Sequence, residues 1–277
     1  MTRTAVITVV HGRHRHLQRQ RETLALSARP PDEHVVVALD DAEVARVIVG
    51  PPATRLVEAA GDSRGLPLAA ARNLGARSAL AAGAEVLVFL DVDCLAGPAL
   101  IGGYRDAVIA EPDRVWSGPV TYLPPAGPGG YPLRALASLD APHPARPAPK
   151  PGERIVQSDP DLFWSLSFAL HRTAWLRSGG FHEGYLGYGG EDTDFARCLQ
   201  AAGLGLGWVG EARSYHQHHP VHDPPVEHLD DIVRNGRLFR QRWGEWPMRG
   251  WLARFEELGL VRRSGDGWEI TARATPP

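Results

Sequence analysis

Residues 85–94 read EVLVFLDVDC, and Val86–Leu90 within them is apolar at every position. A strand that alternates apolar and polar residues turns one face to water, whereas one that does not alternate is covered on both. Strands of that kind belong to mostly parallel sheets flanked by helices, so this stretch alone narrows the fold to the α/β class. Two further β-branched runs, Thr4–Val10 and His34–Leu39, and a weaker one around Thr54–Glu58, agree with it. Leu17–Ala28 and Leu66–Ala84 have helical character, the second with Pro67 near its first turn and Gly83 as its stop. The order strand, helix, strand, strand, helix, strand predicts an open, mostly parallel sheet with helices on both faces.

In such sheets ligands bind beyond the carboxyl ends of the strands. The segments leaving those ends here are HGRHRHL, DDAE and DVDC, which predicts a polar crevice. Residues two apart on an extended chain point the same way, so Asp91 and Asp93 can share a side. Like charges that close raise the cost of ionising both unless a cation joins them.

A second acidic group lies in GYLGYGGEDTDFARCLQAAG, residues 184–203. Phe195, Cys198, Leu199 and Ala202 recur at helical spacing and predict a buried stripe. Glu191, Asp192 and Asp194 then fall at the helix's positive end, where acids commonly do no more than cap free amides. The glycines just ahead permit unusual backbone angles and close approach of another molecule. A carboxylate over such a floor would suit general-base work on a hydroxyl. Downstream, His216, His218, His219 and His222 crowd together without matching a zinc template. Two aspartates plus one imidazole would suit Mn²⁺ or Mg²⁺.

The formal net charge of -2 leaves no footprint for nucleic acid. Cys94 and Cys198 make no disulfide framework and read as small buried apolar residues. The chain enters a strand at once and holds no apolar run of membrane-spanning length, so a cytoplasmic location without a transmembrane segment is expected. Pro124–Arg154 is too rich in proline and glycine for a continuous helix or a central strand, and would be a linker or a lid. Trp116, Trp164 and Trp175 read as core. His228–Val261 predicts a helix–break–helix around Pro247 that packs on the rest, with a homodimer or membrane-surface contact as the alternative.

Taken together, these pieces resemble the family 2 glycosyltransferases of the GT-A fold and, in the second half, the carboxyl-terminal domain of the β-1,4-galactosyltransferases. The matching pieces run in the family's order: TVVHGR, ALDD, AARNLGARSA, DVD as the DxD motif, GGF, GYGGEDTD, and a histidine after the last core strand. The resemblance implies a GT-A catalytic domain over 1–223, with a nucleotide-sugar-binding half (1–123) and an acceptor-binding half (155–223). Residues 224–277 would be a helical extension packed on it. It implies Asp93 and His216 as metal ligands, with Asp91 on the metal or the donor ribose. Asp40 would lie near the nucleobase, and His11, Arg13 and Arg72 against the donor. Asp192 would be the catalytic base, with Glu191 beside it. Trp164, Gly189, Gly190 and Glu191 would meet the acceptor. Arg213 stands where some galactosyltransferases carry a metal-binding methionine.

The expected activity is metal-dependent, inverting transfer from a nucleotide sugar, UDP-linked by preference, to an acceptor hydroxyl. A nucleotidyltransferase would need a glycine- and lysine-rich phosphate loop after the first strand, and HGRHRHL has one glycine and no lysine. A nucleotide-sugar-binding protein without turnover is the other alternative.

Overall fold

The computed structural model describes residues 2–157 and 159–271. Its first half runs β1 (Thr4–Val10), α1 (His14–Ala25), β2 (Glu33–Leu39), a single turn α2 (Val44–Val47), β3 (Thr54–Ala59) and α3 (Leu68–Ala81). Then come β4 (Val86–Leu90), β5 (Cys94–Ala96), α4 (Leu100–Ala110), β6 (Arg114–Ser117) and β7 (Val120–Tyr122). The second half holds β8 (Arg154–Gln157), β9 (Ser167–His171), α5 (Arg172–Ser178), α6 (Glu191–Ala201), β10 (Gly205–Val209) and β11 (Ser214–His216). It closes with α7 (Leu229–Trp243), α8 (Arg249–Glu257), β12 (Val261–Ser264) and β13 (Gly267–Ile270).

One eight-stranded sheet has the order β3-β2-β1-β4-β9-β6-β10-β8. β1 pairs in parallel with β2 and β4, β2 with β3, and β6 with β10. β9 is an antiparallel insertion between β4 and β6, and β8 an antiparallel edge. Because side chains alternate along a strand, β1 sends Ala5 and Ile7 into one core and Val6 into another. The first core takes alanines of α3, Trp175 of α5 and Phe195 of α6; the second takes Leu24 of α1 and Leu100 and Tyr104 of α4. Gly75 explains how α3 lies so close to the sheet, since a Cβ there would sit 2.5 Å from Ile7 Cγ2.

A second sheet, β5-β11-β7, sits just past the carboxyl end of β4 and sets His216 opposite Cys94. Leu136 of the proline-rich segment, with Tyr131, Leu133 and Leu139, packs on its Leu95 and Tyr215. As its prolines demand, that segment forms no continuous helix or strand, only a 3-10 turn, Leu136–Leu139, and a single bridge from Pro142 to Thr121, before Arg154 opens β8.

The tail breaks between α7 and α8 as expected, but a β-hairpin, β12–β13, follows that the helical reading did not anticipate. Leu229, Ile232, Val233, Leu252, Phe255, Val261 and Trp268 form its own apolar cluster. Residues 272–277 of the expected extension lie outside the described residues. Among the described residues no helix is long and apolar enough to cross a membrane.

Candidate active site

β4 delivers Asp91 and Asp93 at its carboxyl end, and the turn between them is pinned from below. The Cys94 amide donates to the Asp91 carbonyl at 2.8 Å. Buried Gln20 of α1 donates through Nε2 to the carbonyls of Asp91 (2.7 Å) and Cys94 (3.0 Å). Sequence reasoning missed Gln20, yet the signal was there: it shares the buried stripe of Leu17 and Leu24 at helical spacing.

The two aspartates take different partners. Asp91 Oδ1 accepts from Arg72 at 3.1 Å, while Asp93 Oδ2 accepts from Arg13 at 2.5 Å. The β5–β11 pairing carries His216 alongside, its Nε2 lying 3.5 Å from Asp93 Oδ1. His219 Nε2 lies 3.6 Å from Asp93 Oδ2. One ligand atom from each of Asp93, His216 and His219 falls within 4.8 Å of the others, a carboxylate and two imidazoles that fit a divalent ion. Asp91, expected among the ligands, lies outside this trio and faces Arg72. Arg213, at the position of the absent methionine, pairs with Asp140 at 2.6 Å.

Arg72 joins the two acidic motifs. Its guanidinium, only 8% exposed, contacts Asp91 and lies 3.6 Å from Glu191 Oε1. The next residue, Asn73, donates to the Phe181 carbonyl at 2.8 Å and accepts its amide at 2.9 Å, so the ARNLG helix holds the GGF turn. Asp192 is oriented by Ser165, whose amide (3.0 Å) and hydroxyl (2.6 Å) both donate to its carboxylate. Asp194 turns away from the cleft and is fully buried. It accepts from Arg242 Nε (2.6 Å), Trp243 Nε1 (2.7 Å) and the Tyr185 hydroxyl (3.1 Å).

Burial pushes Glu191 upward from the usual carboxylate range, with Asp192 adding to it and Arg72 opposing. Burial likewise raises Asp91, Arg72 opposing and Asp93 and Asp192 adding, though the 37% of its side chain open to water tempers the effect. Burial by itself would lower Arg72, but Asp91, Asp192 and Glu191 hold it above the ordinary arginine value. Glu191 Oε2 is buried without a hydrogen-bond partner.

The remaining expected residues are tied into loops. His11 donates through Nδ1 to the Leu39 carbonyl at 2.8 Å, joining the ends of β1 and β2. Asp40, at φ 43°, accepts the Gly61 amide at 2.7 Å. Its neighbour Asp41 accepts the Gly12 amide at 2.8 Å and pairs with His14 at 2.9 Å. Trp116 and Trp175 are core, whereas Trp164 is half-buried between Arg146 (5.0 Å over its ring) and His143 (5.3 Å, edge-on). Arg146 is buried with all three guanidinium nitrogens lacking a hydrogen-bond partner.

Gly189 and Gly190 both stand at φ 91°, where a side chain is strained. Their close neighbours are the protein's own: a Cβ on Gly189 would lie 2.7 Å from Met248 Sδ, and one on Gly190 3.1 Å from the Tyr185 ring. Asn235 Nδ2 reaches the carbonyls of Leu186 (2.9 Å), Tyr188 (3.2 Å) and Gly189 (2.9 Å), so α7 holds the glycine loop. A cavity of about 660 Å³ lies elsewhere, between α1 and Tyr131–Ala135. The acids of the two motifs do not line it.

Solved structures decide the architecture. S. aureus TarS aligns with a TM-score of 0.59 over 86% of this chain and 39% of its own, at 14% identity. The fold is GT-A. A GalNAc-T7 structure with UDP, GalNAc and Mn²⁺ aligns with the same GT-A core, with a TM-score of 0.55 over 79% of this chain and 43% of that one, also at 14% identity. A family model described as the N-terminal domain of galactosyltransferase matches residues 156–222, the stretch of the GT-A domain that carries Ser165, α6 and His216. A validoxylamine A glucosyltransferase from Streptomyces hygroscopicus subsp. limoneus is 30% identical over 97% of this chain. The chain spans 64% of that relative's length.

Proposed function

We propose that this chain transfers a sugar from a nucleotide diphosphate donor, by preference a UDP-sugar, to an acceptor hydroxyl, with a divalent metal and with inversion at the anomeric carbon. The observation that carries the reading is Arg72, which contacts Asp91 of one motif and Glu191 of the other. The donor-side and acceptor-side acids therefore face one cleft. A UDP complex of TarS residues 1–349 and the UDP and Mn²⁺ of the GalNAc-T7 structure support the donor and metal classes.

Asp93 and His216 would hold the metal, which when bound neutralises charge gathering on the departing pyrophosphate. Arg13 and Arg72 stand on the same side as cationic partners for phosphate oxygens, with His11 and Asp40 at the neighbouring strand ends for the nucleoside. Asp192, fixed by Ser165, takes the proton of the acceptor hydroxyl as that oxygen bonds to the anomeric carbon. The bond from that carbon to the phosphate oxygen breaks on the opposite face, which gives inversion. Burial makes Glu191 easier to protonate than an ordinary carboxylate, so in its protonated form it can donate to the acceptor without adding charge beside Asp192. Trp164 would offer a ring face to the acceptor, with half-buried Gly189 as the glycine of the loop left to meet it, since Gly190 is buried. The extension from 224 onward acts with the catalytic domain, since α7 grips both the glycine loop and Asp194.

A nucleotide-sugar panel screened for Mn²⁺-dependent thermal stabilisation selects the donor, and acceptor-stimulated UDP release then reports turnover. Asp192→Asn keeps the shape that Ser165 holds and removes the base, so kcat should fall by about 10²- to 10⁴-fold with donor affinity unchanged. A variant that keeps a tenth of the activity refutes the assignment.

A further inference from the structure

We propose that Arg13 and a divalent cation compete for one oxygen of Asp93, and that His219 is the ligand this competition controls. The inference deepens the metal-dependent reading above and rests on it. Arg13 Nη1 and His219 Nε2 both address Asp93 Oδ2, at 2.5 Å and 3.6 Å. His216 addresses the other oxygen, Oδ1, at 3.5 Å. The carboxylate is thus divided between a guanidinium and an imidazole on one side and a second imidazole on the other.

The tautomer of His219 follows from its other nitrogen. Nδ1 lies 3.2 Å from the Pro220 carbonyl oxygen. A carbonyl can only accept, so Nδ1 carries the hydrogen and a neutral ring leaves Nε2 as a lone pair aimed at Asp93. Two acceptors facing each other repel. A metal cation between them turns the repulsion into two bonds, and a backbone carbonyl behind the far nitrogen is how metal-binding imidazoles are commonly held.

Arg13 has a way out. It caps the start of α1 in the left-handed region at φ 51°, and its side chain is 37% exposed. A cation arriving on Oδ2 frees the guanidinium at the mouth of the cleft, where it can take up a phosphate oxygen of the donor. One event would then complete the ligand set and release a diphosphate-binding arginine. Two imidazoles and a carboxylate favour Mn²⁺ or a later transition ion over Mg²⁺, which prefers oxygen ligands.

The test titrates Mn²⁺ into the full chain without nucleotide and reads free Mn²⁺ from its electron paramagnetic resonance signal, with melting curves to verify folding. His219→Ala should weaken binding by about 10-fold or more, while His218→Ala, an exposed neighbour, should not change it. Arg13→Ala should tighten Mn²⁺ binding by about 2- to 5-fold, as loss of a competing ion pair of this kind would, while lowering UDP affinity in saturating Mn²⁺. Unchanged or weaker Mn²⁺ binding in Arg13→Ala overturns the competition, and unchanged binding in His219→Ala overturns the ligand. Because no transfer is measured, these failures leave the transferase reading standing. Absence of saturable Mn²⁺ binding in the wild type sinks both. The expected shifts, with no UDP released from any donor, would sink the transferase reading alone.

Discussion

Replacing Arg72 by methionine should cost stability in a way that grows with pH. Methionine can still pack against the Phe181 ring, which lies 5.3 Å from the guanidinium, and it removes the charge together with its hydrogen bond and its cation–π contact. Taking one partner from a buried ion pair costs about 3–5 kcal/mol. The lower end applies, because Asp91 keeps 37% of its side chain in water, whereas Glu191 at 10% does not. For a chain of this size, about 3 kcal/mol corresponds to a fall of about 5 °C in melting temperature. The sign with pH is fixed by the two acids, whose folded values already lie above the ordinary range. Without Arg72 they rise further, so the folded state binds more protons than the unfolded chain. Stability is then kept below the unfolded value of about 4 and lost as pH climbs through the raised one. Melting curves in a chelating buffer at pH 5 and pH 8 should therefore show a much larger loss at pH 8. Equal losses at the two pH values, or a fall under about 1 °C at pH 8, would refute Arg72 as the shared counter-charge of the two motifs.

Two further substitutions probe the glycine loop and the proposed acceptor contact. Gly189→Ala meets both the positive φ and the Met248 sulfur, so chemical denaturation should show a loss of about 1–3 kcal/mol; a loss below about 0.5 kcal/mol would mean the loop relaxes freely. Trp164→Ala should raise the acceptor KM by about 10-fold, as expected for a lost ring contact, with a smaller change in kcat; an unchanged KM would remove Trp164 from the acceptor subsite.

Much of the frame was legible because it is local. Val86–Leu90 is β4 residue for residue, Thr4–Val10 is β1, and the helix expected over Leu66–Ala84 forms as Leu68–Ala81. What escaped was set by partners far along the chain. β9 enters the sheet antiparallel between β4 and β6, and no pattern within five residues can announce its neighbours. The three-residue strands β5 and β11 exist only through their pairing, which brings Cys94 to His216 across more than a hundred residues. Ser165 acquires its role from an aspartate 27 residues later. Of four clustered histidines, only three-dimensional placement singles out His219 beside His216. The closing hairpin was different, since VRRSGDGWEI carries a two-residue Gly265–Asp266 turn between its strands, a local signal that the helical reading passed over.

The glycine-rich loop shows why a motif can be recognised and still be read for only part of its purpose. Its glycines suggest room for a substrate, yet their crowded sides face the extension: Met248 at Gly189 and the Asp231 carboxylate at Gly187. The same division runs through EDTD. Glu191 lies against Arg72 and Asp192 against Ser165, while Asp194 is fully buried and accepts from Arg242 and Trp243 of α7. A buried carboxylate with several charge-assisted partners is costly to break, so it fixes the start of α6 against α7. Positioning of this kind matters because a displacement of about 1 Å at a reacting group can cost about 10²-fold in rate. On the proposed reading the extension therefore belongs to the active-site scaffold: it fixes where the first turn of α6 stands, and with it where Asp192 stands.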